Sequence, residues 1–308
     1  MVNLSVQLAP SHRRGLLLQN PVMTASGTFG YGMEYDELLD IQRLGAIVCK
    51  GTTLKPREGN PQPRLAETDC GILNAVGLEN IGVEAVIKEK TPIWAKWRVP
   101  VIVNIAGETI DEYAEVAAKL DGVNGVSGIE VNISCPNMAC GGIEFGTNSK
   151  AAAEVTAAVK EASSLPIIVK LSPNVTDIVE IALAVSEAGA DAVTLINTVR
   201  GMSIDINECR ASLGNITGGL SGTAIKPLAL YMVYKVAGVV DIPIIGCGGI
   251  SCADDALEFL MAGASAVQVG TANLISPQAA LDVLDGIRRF MERKKLKNIE
   301  AIVGMARS

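Results

Sequence analysis

Eight short apolar runs rich in β-branched residues recur along the chain. They are 21–26 (PVMTAS), 45–50 (GAIVCK), 100–105 (PVIVNI), 128–134 (GIEVNIS), 166–171 (PIIVKL), 190–197 (ADAVTLIN), 243–247 (PIIGC) and 264–269 (ASAVQV). Each has the length and composition of a strand, and several are opened by Pro or Gly. Between them apolar residues return at helical spacing. Helices are predicted over 111–120 behind Thr109, 151–162 behind Asn148 and Ser149, 176–187, 224–236, 253–261 behind Ser251, and 277–292. In 176–187 the residues Ile178, Ile181, Ala182 and Val185 share one face. The last helix ends among Arg288, Arg289, Arg293 and Lys294, which suits a helix C-terminus. Strands alternating with helices predict an α/β protein, a (β/α)8 TIM barrel. A doubly wound sheet is the alternative, but it would carry a GxGxxG turn after its first strand. Gly27, Gly30 and Gly32 have the wrong spacing, and there is no P-loop. The barrel is expected to occupy residues 1–308 as a single domain.

Two connections are longer than such a barrel needs. Residues 51–81 are rich in Pro and Gly, and 200–222 in Gly, Ser, Asn and Thr. Both follow strands, so both fall on the C-terminal face where barrel sites lie, and long loops there cover a site.

The runs end in polar residues or glycine: Ser26, Lys50, Asn104, Asn132, Lys170, Asn197, then Gly248-Gly249 and Gly270-Thr271. In a barrel these ends converge on one mouth. Buried lysines and carboxamides are costly unless paired, so their gathering marks a site. The glycines let the backbone approach a ligand and aim amides at it, as in a phosphate site near a helix N-terminus, and Ser221-Gly222 adds a third turn. The run at 129–137 (IEVNISCPN) stops at Pro136 and runs into a loop punctuated by Gly141, Gly142 and Gly146. It sets the carboxamide of Asn132 near a strand end and the thiol of Cys135 on the loop beyond. Carboxamides suit the imide edge of a planar heterocycle, and a lysine offsets negative charge on a reduced ring. The set fits a flavin mononucleotide lying across the mouth, with a small planar substrate above it.

Charge and composition narrow the picture. Lys+Arg total 26 against 33 Asp+Glu, a formal net charge of −7. An acidic chain without basic runs argues against nucleic-acid and anionic-membrane partners. The longest uncharged stretch, 259–281, is broken by Gly263, Gly270, Asn273 and Pro277 and reads as no membrane helix. The seven cysteines form no CxxC pair or zinc spacing, which points to reduced thiols and a cytoplasmic protein. Cys49, Cys70, Cys140, Cys209, Cys247 and Cys252 read as structural or incidental. The one histidine, His12, lies between Ser11 and Arg13 and reads as a surface residue, so proton chemistry falls to Cys, Lys, Asp, Glu or Tyr.

Along essentially its whole length the chain resembles the class 1 dihydroorotate dehydrogenases. The motifs that carry the resemblance are 74–78 (NAVGL), 132–137 (NISCPN), 167–171 (IIVKL), Asn197-Thr198, Gly248-Gly249-Ile250 and Gly270-Thr271. The stretch 140–146 (CGGIEFG) resembles the NAD-linked class 1B type more than the fumarate-linked class 1A type. The resemblance implies oxidation of (S)-dihydroorotate to orotate in pyrimidine biosynthesis. It implies FMN at Ser26, Lys50, Gly51, Asn104, Asn132, Lys170, Ile196 and Gly222, with its phosphate on Gly248, Gly249, Gly270 and Thr271. Dihydroorotate would meet Lys50, Asn74, Ala75, Val76, Gly77, Leu78, Asn132, Asn197 and Thr198, and Cys135 would be the base. It also implies a homodimer of this chain joined by an electron-transfer subunit carrying FAD and a 2Fe-2S cluster, a heterotetramer that delivers electrons to NAD. The residues here support that division of labour, having neither a dinucleotide fingerprint nor cluster-spaced cysteines. The rival readings are the class 1A homodimer, a flavin-free phosphate-binding isomerase or aldolase with Lys170 as Schiff-base lysine, and a non-catalytic subunit.

Overall fold

The computed structural model describes residues 2–134, 136–137 and 143–307. Eight parallel strands form one sheet: β1 Val22–Thr24, β2 Ile47–Val48, β3 Val101–Ile105, β4 Gly128–Asn132, β5 Ile167–Lys170, β6 Ala192–Leu195, β7 Ile244–Cys247 and β8 Ala266–Val269. Neighbours follow chain order, and β8 pairs with β1 through Val267 and Val22. A parallel bridge between Met23 and Ala46 joins β1 to β2 and brings the sheet round into a barrel. Gly45 makes that junction feasible: a Cβ there would stand 2.1 Å from the Asn20 carbonyl oxygen.

All eight predicted strands are present, each trimmed at its ends. Every residue of β1, β2, β3, β5, β6, β7 and β8 is buried. That is why the sequence shows continuous apolar runs rather than alternation: one face of each strand packs on helices and the other fills the barrel. The interior is not wholly apolar. Thr24, Asn104, Glu130, Lys170, Thr194 and Gln268 are all buried on these strands.

Helices cross between the strands: α1 Ile110–Leu120, α2 Ser149–Ala162, α3 Ile178–Glu187, α4 Lys226–Val236, α5 Ala253–Ala262 and α6 Ala279–Arg293. A further helical segment, Val83 to Trp94, precedes β3. Thr109 and Asn148 cap α1 and α2, accepting from the amides of Glu112 and Ala151. Ile178, Ile181, Ala182 and Val185 are the buried face of α3. Most starts shift by one or two residues from expectation, and at α5 it is the cap that differs. α3 begins at Ile178 because the Asp177 carboxylate accepts from the Val179 amide. α5 is capped by Cys252 rather than Ser251, in a reciprocal arrangement with Asp255.

The two long connections are not loops. They contribute Leu65–Thr68, Gly71–Asn74, Val199–Gly201 and Gly218–Ser221 to a four-stranded antiparallel sheet, in which Gly218–Ser221 pairs with Gly71–Asn74. Leu73, Ala75 and Leu213 give this sheet a small core of its own. Among the described residues no helix is long and apolar enough to cross a membrane.

Candidate active site

The C-terminal ends of the strands and the four-stranded sheet enclose a cavity of about 1020 Å3. Natural ligand pockets run to about 1,000 Å3, so there is room for a nucleotide cofactor together with a small substrate. Ser26, Lys50, Gly51, Asn104, Asn132, Lys170, Ile196, Gly222, Gly248, Gly249, Gly270 and Thr271 all line it, and so do Asn74, Ala75, Val76, Gly77, Leu78, Asn197 and Thr198. Cys135, and the 138–142 part of the glycine loop, lie outside the described residues. Asn104, Asn132 and Lys170 belong to the strands themselves, whereas Ser26, Lys50 and Asn197 stand just beyond them.

Lys170 is the centre of the floor. Its side chain is buried, and its nearest oxygen partners are Ser26 Oγ and Gln268 Oε1, both at 3.4 Å, with Glu130 Oε1 at 3.9 Å. Burial works against the ammonium, while the negative charge of Glu130 beneath it favours the protonated amine. A cation with three donors, two of them in long bonds of 3.4 Å, has hydrogen-bonding capacity left for a ligand in the cavity.

Beneath Lys170 lies a polar network that the sequence alone did not single out. Glu130, fully buried, accepts from Asn104 Nδ2 at 2.8 Å, from Thr194 Oγ1 at 3.0 Å and from Gln268 Nε2 at 2.6 Å. The available signal was a carboxylate inside an apolar strand, which needs partners wherever it is buried.

On the opposite wall, Asn197 Nδ2 donates to Asn132 Oδ1 at 3.1 Å and to Ser134 Oγ at 2.9 Å, and Tyr113 donates its hydroxyl to the Asn132 carbonyl at 2.6 Å. These bonds set the carboxamides at the head of the chain segment that leads to Cys135. The 74–78 segment is held from below. Asn60 Nδ2 donates to the Ala75 carbonyl, the Asn60 amide donates to the Val76 carbonyl, and the Asn74 carboxamide donates to Gly219. Lys50 faces Glu79 at 3.8 Å, and Glu79 also pairs with Arg64. Glu79 and Arg57 line the cavity and were not foreseen.

The third side is glycine. Gly222, Gly248 and Gly249 have φ of 100°, 127° and 75°, conformations that favour glycine, and a Cβ on Gly249 would stand 2.8 Å from the Lys226 nitrogen. The turn they form is braced by Asp255, which accepts from the amides of Ser251 and Cys252 and from the Ser251 hydroxyl, and which pairs with Lys226 at 2.7 Å. Thr271 opens the short helical turn Thr271–Ile275 and donates its hydroxyl to Ser221 at 2.9 Å. Backbone amides clustered on glycine, beside a hydroxyl, suit a phosphate. The donor set as a whole therefore fits FMN: amides and hydroxyls on one side, a charged amine in the middle, carboxamides opposite.

A model of the dihydroorotate dehydrogenase family matches residues 10–291. The chain belongs to the dihydroorotate dehydrogenase family. It is 53% identical over 302 residues to the dihydroorotate dehydrogenase B (NAD(+)) catalytic subunit of Geotalea uraniireducens, covering 98% of this chain and 97% of that one. It is 55% identical over 290 residues to the subunit of the same name from Pelobacter propionicus, covering 94% and 95%. To that from Desulforamulus reducens it is 54% identical over 287 residues, covering 93% and 94%. The family resemblance drawn from the motifs is thus met across the barrel, and the named relatives are of the NAD-linked type. His12 is half-buried and does not line the cavity of this dehydrogenase.

Proposed function

We propose that this chain is the catalytic subunit of an NAD-linked dihydroorotate dehydrogenase, oxidising (S)-dihydroorotate to orotate in pyrimidine biosynthesis. The observation that carries the reading is that every implied cofactor and substrate residue among the described residues lines one cavity. FMN would be held by Ser26, Lys50, Gly51, Asn104, Asn132, Lys170, Ile196 and Gly222, with its phosphate on the amides of Gly248, Gly249 and Gly270 and on Thr271. When bound, FMN supplies the acceptor for the hydride that leaves C6 of the substrate.

The remaining work belongs to the chain. Cys135, as thiolate, removes the proton from C5; a free thiol has a pKa of about 8.5 and needs only modest activation for this. Lys50 binds the substrate carboxylate. Asn74, Asn132, Asn197 and Thr198 orient the ring by its polar edges, and 75–78 covers it and excludes water. Lys170 would offset the negative charge of the reduced flavin. Its environment is the wrong one for a Schiff-base lysine, which needs a neutral, nucleophilic amine. We read residues 1–308 as one domain, working in the cytoplasm as a homodimer joined to an electron-transfer subunit with FAD and a 2Fe-2S cluster.

The division of labour is tested by assaying NADH formation from dihydroorotate and NAD. The isolated chain should form none, and chain plus electron-transfer subunit should form it at steady rate. NADH formation by the isolated chain, or fumarate reduction by it, would contradict the NAD-linked assignment.

A further inference from the structure

The buried carboxylate under Lys170 has no direct part in the reaction just described. Glu130 does not line the cavity; it reaches it only through Asn104 and Lys170, which do. Four strands contribute the side chains it holds or pairs with: Asn104 from β3, Lys170 from β5, Thr194 from β6 and Gln268 from β8. Asn104, Lys170, Thr194 and Gln268 are themselves buried, at most 4% exposed. A buried charge cluster of this kind is an expensive way to fill a barrel, since apolar side chains of similar volume often serve stability as well or better.

We propose that Glu130 is a positioning residue: it is the fixed counter-charge that keeps Lys170 cationic and fixes the Asn104 amide, so that the cavity floor carries a permanent proton donor. The inference rests on the reading of Lys170 as a cofactor contact.

Among the described residues, the surroundings leave Glu130 as the one partner that can do this at neutral pH. The titratable groups facing Lys170 are Glu130 on β4 and Cys247 on β7; Ser26 and Gln268 carry no charge. Burial pushes the Cys247 thiol up, so it is neutral in that range. Cys49, which also feels Glu130, is fully buried and pushed up to about 12, so it too is neutral. Among the described residues Glu130 is the only ion-pair partner of Lys170. Without it, a lysine in so dry a site would lose its proton well below its usual range.

The charge state is visible in the proton count of cofactor reduction. With Lys170 already cationic, two-electron reduction draws no proton to it. With Lys170 neutral, reduction draws one additional proton into the site. The experiment is potentiometric titration of the FMN-loaded protein between about pH 6 and pH 9, for the native chain, Glu130→Gln, Glu130→Asp and Thr194→Val, each first checked for native circular dichroism and FMN absorbance. The native chain should give one slope, and Glu130→Gln should show a break to a steeper slope corresponding to one more proton per two electrons. Glu130→Asp, which keeps the charge, and Thr194→Val, which removes only a hydrogen bond, should follow the native slope. An unbroken slope in Glu130→Gln, or an equal break in Glu130→Asp or Thr194→Val, overturns the proposal.

Should Glu130→Gln not fold, or should the native chain take up no FMN, nitrogen-15 spectra of the lysine side chains of the native protein decide. A Lys170 signal, assigned by its loss in Lys170→Arg, that stays ammonium-like to pH 9 supports the assignment, and a neutral amine overturns it. Absence of FMN from the native protein would sink the cofactor reading alone, since the lysine signal does not depend on it.

Discussion

Lys170 and Glu130 show how unevenly single residues can be read. A lysine closing the run IIVK at 167–170 stands out, because a buried ammonium is costly and needs a reason. Glu130 has the same burden, yet in GIEVN it looks like ordinary strand alternation, and only the hydrogen bonds from Asn104, Thr194 and Gln268 reveal a buried network. Glu79 and Arg57 were illegible for a different reason: they reach the cavity from a segment whose path depends on long-range pairing. Cys135 is the base in the proposed reaction. Replacing it with alanine should leave FMN bound and reduce the rate of flavin reduction by dihydroorotate at least about 100-fold, the scale of a lost general base. Stopped-flow absorbance measures this, and native-like reduction in Cys135→Ala would remove the thiol from its assigned role. In the native chain the same rate should rise with pH and level off as the thiol ionises.

At the scale of elements, strands and helices were legible because each is set by local pattern: apolar runs of strand length, and caps such as Thr109 and Asn148 ahead of helical periods. The four-stranded sheet was not. Gly71–Asn74 and Gly218–Ser221 are short and glycine-rich, and each is a strand only because the other lies beside it, some 145 positions away in the pairing of Asn74 with Gly219. Glycine there is a packing requirement, since a Cβ on Gly219 would stand 2.0 Å from the Thr198 hydroxyl oxygen.

The start of α5 joins stability to the site, because Asp255 both caps the helix and braces the Gly248-Gly249 turn. Burial works to raise its pKa, but hydrogen bonds from Lys226, Ser251 and Cys252 prevail and hold the carboxyl down at about 2. A lowered carboxyl pKa contributes stability that is present above the ordinary aspartate value and is lost as pH falls through about 2. Asp255→Asn should therefore unfold about 2 kcal/mol more easily at pH 7, and the gap should close between about pH 4 and pH 2. Urea titrations at several pH values measure it; a gap independent of pH would show that the charge contributes nothing.

For the whole molecule, topology converts separated sequence features into a site. Eight strands in chain order, closed by the contact of Met23 with Ala46, bring Ser26, Lys170 and Gly249 onto one cavity. That convergence could be inferred from the sequence because the barrel rule places strand C-termini on one face. The covering sheet and the buried network could not, since both arise from contacts between distant segments. The proposed chemistry turns on this mouth holding FMN in position to take a hydride from dihydroorotate. The most direct test is the visible spectrum of the purified chain before and after anaerobic addition of dihydroorotate. The prediction is a flavin spectrum at one FMN per chain that bleaches on addition of substrate and returns with air. A colourless protein that takes up no FMN, or a bound flavin that dihydroorotate leaves oxidised, would contradict it.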